Sequence, residues 1–159
     1  CDKKWLLVHK IHSLYSEYLT EDKTLFLPGD LGEAAAIALA RVTGAVSLLT
    51  DDSKIYGPHY TLIRRPDVQI IPLAYYEMII LACIVGKCTV DGAIEIFEAV
   101  HNGSPDQNFT FISKLRKFVS RFIHEPVKKE EKEWFYDFCR DCNVASPKRK
   151  LRELTNKLE

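Results

Sequence analysis

The sequence predicts an α/β fold, a parallel sheet sandwiched by helices with a helical C-terminal extension. Short apolar runs at residues 24–28, 45–50 and 68–73 alternate with helix-forming stretches, the order expected of βαβ units on a parallel sheet. Beyond the polar loop 104–108 the apolar spacing becomes purely helical. The length of 159 residues, 47% of them hydrophobic, suits one domain with an appendage and allows a sizeable buried core. The expected division is 1–103 for the α/β domain and 104–159 for the extension.

The elements follow from their residues in turn. Trp5, Leu6, Val8, Ile11, Leu14, Tyr15 and Tyr18 recur at spacings near 3 and 4, which predicts an amphipathic helix over 5–19. Residues 24–28 are a short apolar run closed by Pro28-Gly29, a strand signal. An Ala-rich stretch from Leu31 to Arg41 stops at Gly44 and predicts a helix. Residues 45–50 are too short for a helix and read as a buried strand ended by Asp51-Asp52. Gly57 and Pro58 interrupt 56–65, where a short helix is compatible with Tyr60, Leu62 and Ile63 facing a core. A strand at 68–73 contains Pro72, so it ends there or lies at an edge. Helices are expected at 74–86, 90–100, 109–124, 129–143 and 147–158, the last opened by Ser146 as N-cap and Pro147 at the first helical position.

The 22 basic and 22 acidic residues balance, but not evenly along the chain: residues 1–112 carry a net −5 and residues 113–159 a net +5. An acidic body with a basic tail suits either a carboxylate site beside a nucleic-acid-contacting extension or two solvated helix faces. The longest apolar run, residues 73–86, includes Glu77 and is shorter than the roughly 20 residues a membrane span needs. No transmembrane helix and no secretory signal are expected. Five cysteines, an odd number, point to reduced thiols and a cytoplasmic location. Cys139 and Cys142 have zinc-knuckle spacing, with Cys83, Cys88 or His124 available to complete a site. They also continue a Trp134, Phe135, Phe138 stripe at helical spacing, which reads as core. No glycine pattern of a nucleotide-binding loop is present, and the histidines have no obvious nucleophile beside them.

The stretch richest in chemistry joins Glu33, in the first turn of a helix, to Asp51 and Asp52, at the end of the strand that follows. In an open parallel sheet ligands bind outside the carboxyl ends of the strands, and a helix-start acid reaches that same edge. Clustered carboxylates repel unless a cation neutralises them, and hard oxygen ligands suit Mg²⁺ or Mn²⁺. The bland alternative is a carboxylate complementing a helix dipole and an acidic turn. Near these acids Lys54, Arg64 and Arg65 are candidates for phosphate contact, as are Lys114, Arg116, Lys117 and Arg121 on one later helix and Lys148, Arg149 and Lys150 at the start of the last. Leu151, Leu154 and Leu158 give that last helix a stripe that docks on its own domain or on a partner.

Gly32-Glu33 with a small-residue helix, then Leu48-Leu49-Thr50-Asp51-Asp52, resembles the PIN-like domain family, metal-dependent ribonuclease modules common in toxin–antitoxin pairs. The likeness spans roughly residues 25–100. It implies Glu33 and Asp52 as metal-holding acids, Asp51 as a further catalytic acid, and Mg or Mn as cofactor. It also implies metal activation of water for attack on an RNA phosphodiester, with Lys54, Arg64 and Arg65 on the nucleic acid. The first strand of the family and its Asp have no counterpart before Glu33, and Ala35 stands where a second Glu is common. Either an N-terminal segment precedes this sequence in the natural protein or the site is divergent and incomplete. The alternative is a non-catalytic PIN-like interaction module of a toxin–antitoxin or defence complex, with an antitoxin-like protein partner or a second copy of the chain, and no membrane.

Overall fold

Helix dominates the computed structural model, which describes residues 3–23, 31–51, 57–65, 67–101, 110–126 and 128–158. The chain divides into two units, Cys1–Ala74 and Tyr75–Glu159. In the first, α1 (Lys3–Lys23) and α2 (Leu31–Thr43) lie side by side, followed by β1 (Ser47–Leu49), α3 (Pro58–Arg64) and β2 (Ile71–Leu73). The strands pair in parallel with Leu48 opposite Pro72. Ile71 N–H donates to the Val46 carbonyl at 3.0 Å and Thr50 N–H to the Leu73 carbonyl at 2.8 Å. Alternate residues of a parallel strand bond to one neighbour, so the N–H that Pro72 lacks falls on the side away from β1.

The expected parallel sheet sandwiched by helices is overturned. Among the described residues the sheet stops at two strands of three residues each, within a mostly helical chain. Strands of that length span about 10 Å, too little surface for a helical layer on either face. The helices therefore bury their apolar sides on one another. Ala34, Ile37 and Ala40 of α2 pack with Leu62, Val68 and Ile70, and Leu19, Ala45 and Leu48 lie against this cluster. The run 68–73 is strand only at its end, while Val68 and Ile70 serve as core residues in extended chain. The strand expected at 24–28 lies outside the described residues.

The regular elements described in the second unit are all helices: α4 (Tyr75–Ile84), α5 (Val90–His101), α6 (Phe111–Val119) running into a π-helical turn (Ser120–His124), α7 (Lys129–Asp141) and α8 (Pro147–Leu158). Thr110 caps α6, its Oγ1 accepting from Ser113 N–H at 3.3 Å. Phe118, Phe122 and Phe135 are fully buried, with ring centroids 4.7 Å apart for Phe118–Phe122 and 5.6 Å for Phe118–Phe135. Leu151 and Leu154 of α8 are buried, and α8 packs on α6 and α4, so the leucine stripe docks on its own unit. Two helices end where glycine stops were expected. Gly44 and Gly86 have φ of 69° and 75°, a region that costs glycine little, and each closes a turn in which the next residue's N–H reaches back to the carbonyl five residues earlier. Among the described residues no helix is long and apolar enough to cross a membrane.

Candidate functional site

The turn at Gly44 sends β1 back along α2. From Glu33 to the helix end is about 15 Å at 1.5 Å per residue, and from Ser47 to Asp51 about 13 Å of extended chain. The two lengths match, so a strand running antiparallel to α2 would end level with the helix start. Glu33 is half-buried in the first turn of α2 and Asp51 is exposed just past β1. Asp52 and Lys54 lie outside the described residues. Among those described, no three His, Cys, Asp or Glu side chains gather as a metal-holding group.

The two arginines expected to meet phosphate part company. Arg64 is exposed on α3 with its guanidinium 3.6 Å from the centre of the Tyr60 ring. Arg65 turns into an ionic cluster instead. It donates to Asp22 Oδ1 at 2.7 Å, to Glu21 Oε1 at 3.0 Å and, through Nε and Nη2, to both oxygens of Asp67. Arg41 of α2 adds a bond to Glu21 Oε2 at 2.8 Å and stacks 3.9 Å from the centre of the Tyr18 ring. Asp22 is fully buried, and burial holds its carboxyl above the ordinary range although Arg41 and Arg65 pull the other way. Glu21 and Asp67 are lowered, chiefly by hydrogen bonds from Arg41 and Arg65 respectively. The cluster ties the end of α1 to α2 and to the segment leading into β2. Glu21 and Asp22 in the last turn of a helix oppose its dipole, a sequence signal that a cation elsewhere had to meet them.

Asp67 supplies a pH test of this cluster. A carboxylate whose folded pKa is depressed stabilises the fold above its unfolded value, here 3.8, and loses that contribution as pH falls through the folded value. Asp67 is about half exposed, so solvent screening limits its worth to about 0.2–1 kcal/mol. Urea unfolding of wild type and Asp67→Asn is expected to differ by this amount at neutral pH and to converge as pH drops below 3.8. A difference that ignores pH would refute the assignment.

Arg121, a candidate phosphate contact by sequence, is withdrawn from solvent in the second unit. It sits on the π-helical turn, its side chain only 11% exposed, between Glu77 of α4 and Glu131 of α7, each 1% exposed. Nη1 reaches both Glu77 oxygens at 2.9 Å and Nε reaches Glu131 Oε1 at 3.0 Å. Burial works against its charge, but the two carboxylates outweigh that and hold the guanidinium above its ordinary pKa. The signal for this triad was Glu77 itself, one carboxylate inside an otherwise apolar run. Cys139 is buried and Cys142 exposed at the end of α7, with no metal-holding group among the described residues there.

No known protein family, curated protein or solved structure matches the chain.

Proposed function

We propose that the chain is a divalent-cation-dependent ribonuclease of the cytoplasm, acting at the edge where α2 begins and β1 ends. The observation that supports this reading is the α2–β1–α3–β2 order with β1 and β2 parallel, an order in which a helix-start acid such as Glu33 and a strand-end acid such as Asp51 belong to one edge. The likeness of roughly residues 25–100 to the PIN-like ribonucleases, carried by Gly32-Glu33 and Leu48-Leu49-Thr50-Asp51-Asp52, supports it, here in a mostly helical setting. Carboxylate oxygens form a hard donor set that fits Mg²⁺ or Mn²⁺, with Glu33 and Asp52 as the residues that would hold it and Asp51 beside them. A bound ion would supply an activated water and charge neutralisation for phosphodiester hydrolysis. Arg64 stands at the surface for a backbone phosphate, whereas Arg65 is committed to Glu21, Asp22 and Asp67 and serves the fold.

A second reading, a non-catalytic interaction module with a protein partner, is favoured by α1. Trp5, Leu6, Leu7 and Val8 are each more than half exposed, an unusual run of apolar surface on one helix.

One experiment separates the two. If the ribonuclease reading holds, Mn²⁺ at a hundred times its Kd raises stability by about 2.7 kcal/mol. Asp52→Asn then abolishes both that gain and RNA cleavage. The interaction module instead gives no Mn²⁺ response, and Asp52→Asn leaves the metal-free protein as stable or more so, because it removes a repelling charge. Thermal unfolding of both proteins with and without Mn²⁺, together with an RNA cleavage assay, reads the difference.

A further inference from the structure

The end of α4 brings two thiols together. Gly86 N–H bonds to the Cys83 carbonyl at 3.1 Å, and Lys87 and Cys88 N–H both return to the Ala82 carbonyl, at 2.8 and 3.2 Å. The Ala82 carbonyl belongs to the peptide whose nitrogen is that of Cys83. One hydrogen bond therefore holds the backbone of Cys88 beside that of Cys83, the close approach that a disulfide's Cα separation of about 4.4–6.8 Å requires. The side chains converge as well. Both sulfurs lie within reach of a single acceptor, the Thr89 carbonyl, Cys83 Sγ at 3.7 Å and Cys88 Sγ at 3.3 Å.

Access is asymmetric. Cys83 is buried, whereas Cys88 is half-buried, and both border a cleft of about 530 Å³ whose wall includes Lys150 and Lys157 of α8. The wall also carries Asp91 and Glu153, the latter 3.6 Å from Lys150 Nζ, so the cleft offers both signs of charge to whatever enters. We propose that Cys83 and Cys88 are a reversible dithiol–disulfide couple, oxidised by a small zwitterionic disulfide of the glutathione type, whose carboxylates and ammonium groups suit the mixed charges of this cleft.

The chemistry balances in two exchanges. Cys88, as thiolate, attacks one sulfur of the entering disulfide, forming a mixed disulfide and releasing one small thiolate, which takes up the proton that Cys88 gave up. Cys83 then loses its proton and attacks Cys88 Sγ, forming the internal bond and releasing the second small thiol. Two protein thiols are oxidised and one external disulfide is reduced to two thiols. Burial pushes the Cys83 thiol up to about 12, so it is a poor first nucleophile. Its role comes second, when proximity makes the attack intramolecular.

Trypsin cuts after Lys87 and so places the two cysteines on separate peptides. The folded protein is incubated with oxidised glutathione at pH 8, alkylated, digested and analysed by mass spectrometry. The expected product is the two peptides joined through Cys83 and Cys88, separated again by dithiothreitol. Cys83→Ser is expected to stop at glutathione attached to Cys88. Two results on the wild type would overturn the proposal without reliance on any variant: both cysteines remaining fully alkylatable, or glutathione persisting on Cys88 while Cys83 stays free.

Discussion

Arg121→Met is expected to destabilise the protein by about 3–5 kcal/mol, the usual cost of removing one member of a buried ionic group. The substitution keeps most of the side-chain volume, so the loss is not one of packing. It leaves the Glu77 and Glu131 carboxylates, both almost wholly buried, without the guanidinium that bonds to each. Among the described residues Glu131 Oε2 has no hydrogen-bond partner, so this side chain has little in reserve. The paired expectation is rescue: Arg121→Met combined with Glu77→Gln and Glu131→Gln should recover a large part of the loss, because neutral amides carry no stranded charge. Urea unfolding of the single and triple variants decides it. A single variant within 1 kcal/mol of wild type would mean that the triad is wetter than its burial implies.

Phe118→Ala should cost about 3–5 kcal/mol as well, for a different reason. Phe118 has no exposed surface and stands between Phe122 and Phe135, tilted against one ring and edge-on to the other. Truncation removes both the buried apolar area and the ring contacts, and leaves a cavity that two other rigid aromatics cannot collapse to fill. Phe118→Leu, which retains most of the volume, should cost under about 1.5 kcal/mol. Equal losses for the two variants in chemical denaturation would show that the site responds to aromatic geometry rather than to volume.

Helices were the legible part of the sequence because their signals are local. The Ala-rich run before Gly44, the Ser146-Pro147 start and the apolar spacing of residues 111–124 each specify an element without reference to the rest of the chain. Strand content was less legible. The run 45–50 forms a strand only at 47–49, because an extended segment needs a partner of matching length and β2 offers three residues. The acids at 33 and 51 were readable as a motif, since helix start and strand end are local properties. The fates of Arg65 and Arg121 were not readable. Each lies beside candidate phosphate contacts in sequence, yet each is bound by acids 44 residues away, Arg65 by Glu21 and Arg121 by Glu77. Only the unfavourable placement of those acids, at a helix C-terminus and inside an apolar run, hinted that a distant cation would answer them.

The π-helical turn makes chain length itself a determinant of where charge goes. A π turn amounts to an α-helix with one residue inserted, and each residue advances an α-helix by about 100°. Here the extra residue falls in the stretch that carries Arg121, Phe122 and Ile123, consecutive side chains that all lie largely away from solvent. Losing a single residue from 120–124 would turn the stretch back into an α-helix, in which consecutive side chains stand about 100° apart, so that this many neighbours could not all stay away from solvent. The composition would hardly change, but Arg121 could then no longer keep its bonds to Glu77 and Glu131 while the aromatic face kept its own. This segment should accordingly tolerate many substitutions far better than one deletion.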